Sequence, residues 1–153
     1  MRYLVIAAAL LASTFLNAPA AHAADAAQME ANKKTIAAFY DAVLNKKDYD
    51  LAIKLLNAIV DFRSDYVEAW NRRATVYYMK KDFENAVADI GEVLKREPRH
   101  FGALSGLGMI MQELGDEKHA LEAFRRALDV HPKLEKIPDL VKKLTETVEG
   151  RPI

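Results

Sequence analysis

The amino-acid sequence predicts an all-α solenoid of three helix-turn-helix repeats closed by a C-terminal capping helix. Three observations carry that expectation. Asp48, Asp82 and Asp116 recur every 34 residues, and so do Ala52, Ala86 and Ala120. The same step relates Leu56, Ile90 and Phe124, then Ile59, Val93 and Ala127, then Val60, Leu94 and Leu128. Within each period the apolar residues fall at helical spacing, and a polar turn ending in aspartate interrupts them near the middle. A fixed period of this length marks stacked supersecondary units, each too small to bury its apolar face alone.

Residues 1–23, MRYLVIAAALLASTFLNAPAAHA, read as a secretory signal. Arg2 supplies the positive end. Leu4 to Leu16 form an apolar run shorter than the ~18 residues of a membrane span. Ala21-His22-Ala23 offers small residues where a signal peptidase inspects, so cleavage is expected after Ala23 and the mature protein is expected in the periplasm or outside the cell, with no stable membrane anchor. Residues 24–32 are a short N-terminal extension. The sequence has no cysteine, so neither a lipoprotein anchor nor a disulfide is available and packing alone must stabilise it. The roughly 130 residues left after cleavage suffice for one core.

The first unit spans 33–66 and the second 67–100. In the second, Trp70, Ala74, Tyr77 and Tyr78 recur at helical spacing, Lys80-Lys81-Asp82 makes the turn, and Phe83, Ala86, Val87, Ile90, Val93 and Leu94 define another apolar face that Pro98 ends. The third unit, 101–134, repeats the plan up to Pro132. Each repeated aspartate precedes an apolar-periodic run, where its carboxylate can accept an orphan backbone N–H; replacing such a cap by alanine costs about 1 kcal/mol. Lys46, Lys47, Lys80 and Lys81 lie at the C-terminal ends of the preceding helices, where positive charge is favoured. Residues 135–153 supply the cap: Pro138 suits a first helical turn, Leu140, Val141, Leu144 and Val148 form one stripe, and Gly150 ends it.

Of 22 basic and 22 acidic side chains only Arg2 lies in the signal segment, so the remaining chain is close to neutral. That balance argues against nucleic acid, which demands a concentrated positive surface. His100, His119 and His131 occupy different phases of the repeat, so no shared face offers metal ligands, and no metal or cofactor is expected. Gly102, Gly106 and Gly108 are not a phosphate loop, because no strand precedes them and no Gly-Lys-Ser or Gly-Lys-Thr follows. Gly108 is expected at a close helix contact. Gly102 and Gly106, one turn apart on one helix, each weaken it by about 1 kcal/mol relative to alanine, which suggests that something approaches that face closely.

These residues resemble the tetratricopeptide repeat (TPR), a 34-residue helix pair with W-x2-L-G-x2-Y, A-x3-F, A and P. The third unit fits through Leu104, Leu107, Gly108, Met111, Gly115-Asp116, Ala120, Phe124, Ala127 and Pro132. The second fits through Trp70, Ala74, Tyr77, Phe83, Ala86, Ile90 and Pro98, with Arg73 in place of the usual Leu. The first departs: Tyr40 stands where a small residue belongs, and Ser64 replaces Pro. Tyr40 should then force its helix pair apart or turn its ring toward an exposed end, as suits a terminal unit.

The resemblance implies a concave groove lined by the first helix of each pair. Carried over, its positions are Lys34, Ala37 and Asp41; Glu68, Asn71, Arg72, Thr75 and Tyr78; and Gly102, Ser105, Met109 and Gln112. Trp70 and Tyr77 fall on the buried side. Such a groove suits another protein, as an extended peptide or a partner helix, and implies a scaffold without catalytic residues. Some TPR domains hold the C-terminal carboxylate of chaperones with Lys and Asn, but Ala37, Asp41, Arg72, Gly102 and Gly106 stand at those positions, and only Arg72 could serve. Replacing Tyr78 and Arg72 together by alanine is expected to abolish partner capture with thermal stability nearly intact.

A second resemblance covers residues 30–56. Asn32-Lys33, Phe39-Tyr40 and Asn45-Lys46-Lys47-Asp48 are similar to the first helices of SnoaL-like proteins of the nuclear-transport-factor-2-like superfamily. It implies a curved sheet around an apolar pocket, in a small enzyme or ligand binder. Beyond residue 60 no alternating, turn-bounded strand pattern supports that sheet.

Overall fold

Asp48, Asp82 and Asp116 each stand one residue before a helix, and each carboxylate accepts a backbone N–H three residues on: from Leu51 at 3.0 Å, Asn85 at 3.3 Å and His119 at 3.2 Å. The computed structural model of the chain describes residues 30, 33–35 and 37–150. The expected signal and its cleavage site lie outside the described residues, as does the 24–32 extension apart from Glu30. The chain divides into a unit of residues 1–37 and a unit of residues 38–153. In the first, the described residues are helical and exposed, and Lys33 Nζ lies 4.0 Å from Glu30 Oε2.

The second unit is an all-α solenoid. Helical residues 38–40 run into a π-helical turn, Asp41–Lys46, followed by α1 (Tyr49–Phe62), α2 (Val67–Met79), α3 (Phe83–Arg96), α4 (Phe101–Glu113), α5 (Glu117–Val130) and α6 (Ile137–Val148). No strand occurs among the described residues, so the curved sheet implied by the SnoaL-like resemblance is not part of them. Each helix packs on the next, and α2 also packs on α4, which sets the first helices of successive pairs side by side. Ala52, Ala86 and Ala120 are wholly buried at 0% exposure, which is why the period conserves a methyl there: a larger group would separate the two helices. The cap α6 buries Ile137 and Leu144 against Ala120, Leu121 and Phe124, and Arg125 ties it down through Glu149 Oε1 at 2.6 Å and Thr145 Oγ1 at 3.1 Å.

The turns explain the first unit's irregularity. In the second and third units the helix ends in a Schellman motif: Asp82 N–H donates to Tyr77 O at 2.9 Å and Asp116 N–H to Met111 O at 2.8 Å, five residues back, with Lys81 (φ 64°) and Gly115 (φ 78°) left-handed. In the first unit Asp48 N–H reaches Ala42 O at 2.8 Å, six residues back, and Lys47 (φ 51°) donates to the same carbonyl. The last turn thus holds one extra residue. One residue is about 100° of helix rotation, so the side chains before Ala42 leave the 34-residue register. Phe39 then packs against the core with Ala42, and Tyr40 is turned outward at 45% exposure. The insertion removes Tyr40 from the small-residue position, and of the two expected outcomes the ring takes the exposed one.

Arg73, at the position where the repeat usually has Leu, joins two units. Its guanidinium donates twice to Asp89, from Nε and Nη2 at 2.7 Å each, and from Nη1 to Asn57 Oδ1 at 2.8 Å. Its hydrogen bonds to Asp89 hold Arg73 more firmly protonated than usual. The guanidiniums of Arg73 and Arg96 lie over the Trp70 ring at 4.9 and 5.2 Å, and Trp70 Nε1 donates to Ser64 O at 3.0 Å.

Asp116 gives the acid response a sign. The backbone N–H of His119, and then its side chain, hold this carboxyl below its ordinary value of 3.8. A depressed carboxylate stabilises the fold fully above its unfolded value, and the contribution is lost as pH falls through the lower folded value. Melting temperature is therefore expected to fall below about pH 4, and Asp116→Asn, which keeps a cap acceptor but does not titrate, is expected to flatten that fall. An unchanged acid slope in the variant would refute the assignment.

Candidate functional site

Helices α2 and α4 present their exposed faces side by side, and the sequence there is small or flexible. Between them lies a cavity of about 170 Å³. Asn71, Thr75 and Tyr78 from α2 and Ser105 and Met109 from α4 form its walls, joined by Ala74, Gly102 and Gly106 and by Ile90 and Ile110 from the core. Thr75 Oγ1 donates back to Asn71 O at 3.0 Å and Ser105 Oγ to Phe101 O at 2.8 Å. With both O–H donors turned back to their own helices, the wall is mostly carbon. The two cavity glycines differ: a Cβ on Gly106 would stand 3.5 Å from Ile90 Cδ1, an ordinary contact, whereas one on Gly102 would crowd His100 Cε1 at 3.2 Å.

Charges bracket the cavity in satisfied pairs. On α2, Glu68 lies 3.2 Å from Arg72 Nη2, with His100 Nε2 3.5 Å from its other oxygen. His100 also caps α4, its Nδ1 accepting from Ala103 N–H at 3.0 Å, which assigns Nε2 as the protonated nitrogen of the neutral ring and aims it at Glu68. Near the turn, Tyr78 OH donates to Glu113 Oε1 at 3.4 Å and Lys81 Nζ to Glu113 Oε2 at 3.1 Å. Burial, then Glu113, pushes the Tyr78 phenol above its usual range, keeping it a neutral donor. Tyr78 also packs on the core beside Phe83, ring centroids 5.9 Å apart, so truncating it removes packing as well as a groove contact. Tyr78→Phe with Arg72→Ala therefore probes the groove more cleanly than the double alanine variant.

Of the groove positions expected from sequence, Asn71, Thr75, Tyr78, Ser105 and Met109 meet at the cavity, with Gly102. Glu68 and Arg72 form the charged pair beside it, and Gln112 is half-buried on α4 outside the wall. Lys34 and Ala37 belong to the unit of residues 1–37, where both are exposed. Asp41 is engaged locally: Asn45 Nδ2 donates to it at 2.9 Å and Lys46 Nζ lies at 2.6 Å, and these bonds, Lys46 first, hold its carboxyl below the usual range. Because of the π turn, Tyr40 rather than Asp41 reaches across, its hydroxyl accepting from Arg72 Nη1 at 3.5 Å. Sequence reading also missed His100 as a cap, since histidine is an unusual one, and the buried walls Ala74, Ile90 and Ile110, which look like any other core residues. Lys46, Lys80 and Lys81 pair with Asp41, Asp50 and Glu113, so the turn lysines are largely neutralised. Among the described residues no three His, Asp or Glu side chains are grouped to hold a metal ion.

The tetratricopeptide repeat family model matches residues 38–91 and again 82–135. The chain belongs to this family. A TPR repeat-containing protein of Rhizobium etli is 36% identical over 110 residues, which are 72% of this chain and 54% of that protein. The small glutamine-rich tetratricopeptide repeat-containing protein 2 of Saccharomyces cerevisiae is 26% identical over 69% of this chain and 31% of its own length. The chain thus spans about half the length of the first of these curated relatives and less of the second. Among solved structures, the Arabidopsis OM64 TPR domain matches with a TM-score of 0.68 at 20% identity, covering 78% of this chain and 98% of that one. The first TPR of Spaghetti (RPAP3), bound to an HSP90 peptide, matches with a TM-score of 0.66 at 18% identity, covering 76% and 94%. At such identities the likeness is one of fold, and the TPR assignment rests on the repeats themselves.

Proposed function

We propose that this TPR chain is an exported, non-enzymatic binding module that holds a peptide or a partner helix of another protein in its concave groove. The observation that carries the reading is the cavity between α2 and α4, which lies where the first helices of two TPR units adjoin and is walled by six of the groove positions expected from sequence. A preformed concave site with apolar walls and a few polar groups at its edge is the usual form of a binding pocket. The TPR structure with a bound HSP90 peptide supports a peptide as the class of ligand. This groove differs from a carboxylate clamp: Gly102 and Gly106 occupy clamp positions, and Arg72 is already paired with Glu68. Export rests on Arg2, the apolar run Leu4 to Leu16 and Ala21-His22-Ala23.

Site-specific photocrosslinking in cells tests both parts. A crosslinker at Thr75 or Met109 is expected to capture a partner that one at Lys95, exposed on α3, does not, and Tyr78→Phe with Arg72→Ala is expected to weaken the capture. The captured chain is expected to begin at Ala24. Capture from Lys95 alone would move binding off the groove, and a chain retaining residues 1–23 would refute cleavage.

A further inference from the structure

We infer that the cavity takes one uncharged apolar side chain, of the size of leucine or phenylalanine, from an internal segment of a partner protein; this rests on the groove reading above and names its anchor. The volume fits: about 170 Å³ is close to the ~150 Å³ apolar cavity that admits benzene. The space is not a by-product of close packing. Gly108, two residues on, is forced to be glycine by the Phe124 ring, 2.5 Å from where its Cβ would stand, whereas a Cβ on Gly106 would meet only Ile90 at an ordinary 3.5 Å. Glycine weakens a helix relative to alanine, so at position 106 packing offers no compensation, while the open volume does.

Charge decides the chemistry. Glu68 is held by Arg72 and faced by His100, and Glu113 is held by Lys81 and Tyr78. The Thr75 and Ser105 O–H groups donate to their own helices, so neither hydroxyl offers a donor, and neither carries charge. A charged anchor entering this wall would lose its hydration without gaining a counter-charge, so the complementary anchor is neutral and apolar. The same pairing leaves neither Arg72 nor Lys81 as a free counter-charge for a terminal carboxylate, which makes the segment internal. A chain segment rather than a free small molecule is indicated by Asn71 in the wall, whose side-chain amide offers one donor group and one acceptor, the complement of a peptide unit.

Titration of blocked heptapeptides, glycine and serine around one central residue, into the full mature chain followed by amide NMR tests this. Peptides with central phenylalanine or leucine are expected to shift Gly102, Gly106 and Thr75 saturably, and those with central aspartate or lysine to bind at least about tenfold more weakly. Toluene alone is expected to bind about tenfold more weakly than the phenylalanine peptide. Gly106→Leu is expected to remove the shifts. Gly106→Ala, which relieves a helix-weakening glycine, is expected to reduce them with the fold intact. Equal binding of the aspartate or lysine peptide, or unchanged shifts in both Gly106 variants, would overturn the inference, and toluene binding as well as the peptide would overturn a chain segment as occupant. Crosslinking from Thr75 that persists undiminished in Gly106→Leu would leave the groove reading standing and remove the anchor.

Discussion

Asp89→Ala is expected to cost about 3 kcal/mol, while Arg73→Leu combined with Asp89→Ala is expected to cost less than about 1 kcal/mol. Asp89 is 6% exposed and Arg73 13% exposed at the side chain, so the pair is nearly dry. Removing one partner leaves the other desolvated without its counter-charge, and that is where the large penalty of breaking a buried pair arises; removing both exchanges the pair for apolar contacts and is often close to neutral. Arg73 also donates to Asn57 Oδ1 at 2.8 Å, a bond that does not involve Asp89, which places the single loss at the low end of the usual range. The two alternative residues are those of the third unit, where Leu107 and Ala123 occupy the matching positions. Arg73 and Asp89, on α2 and α3, both belong to the second unit, so the single loss should fall on that unit and broaden the urea transition, as in a chain of nearest-neighbour units, while the Arg73–Asn57 bond to the first unit is retained. A double-mutant cycle by urea unfolding checks it. Additive losses would show that the pair does not act as a unit.

How this pair could be seen in sequence, and why it was only half seen, marks the reach of the period. A column of the repeat reports which positions are buried, because stacking imposes the same environment on every unit. That logic placed Ala52, Ala86 and Ala120 and the aspartate caps, while the capping helix is legible from its own stripe, Leu140, Val141, Leu144 and Val148. It also flagged Arg73 as an exception. Asp89 stands in a column with Leu55 and Ala123, so a second exception in the same unit was available, but pairing them needs a distance that no column contains. The π turn at Asp41–Lys46 is illegible for a different reason: a one-residue insertion inside a helix leaves Asp48 and Ala52 in register and disturbs only what precedes it. Tyr40 looked misplaced against Ala74 and Gly108, and the structure removes the conflict by rotating the helix. On the concave face, the family's groove positions identify which side chains point outward. They cannot show that Thr75 and Ser105 turn their hydroxyls back, so a row that reads as polar forms an apolar wall.

Alanine at Gly108 and alanine at Gly106 are expected to act in opposite directions although they make the same change on the same helix. Both would remove a glycine that disfavours helix by about 1 kcal/mol. At 108 the new Cβ would stand 2.5 Å from Cδ1 and Cε1 of Phe124 and 2.8 Å from Cζ. Phe124 is 0% exposed and belongs to the cluster shared with α6, so its ring has no vacant direction in which to move. Overpacking of this kind costs about 1–3 kcal/mol, and a separation this short belongs at the upper end, leaving a net loss of about 2 kcal/mol after the helix gain. For a domain of this size that lowers Tm by roughly 8 °C. At 106 the nearest atom is Ile90 Cδ1 at 3.5 Å, so the helix gain survives and Tm should rise by a few degrees, about 4 °C per kcal/mol. The same methyl enters the cavity, so the more stable variant should be the poorer binder. Thermal melts of both variants beside the peptide titration read all three effects, and a fall in Tm for Gly106→Ala would mean that position 106 is already filled by packing rather than kept open for a partner.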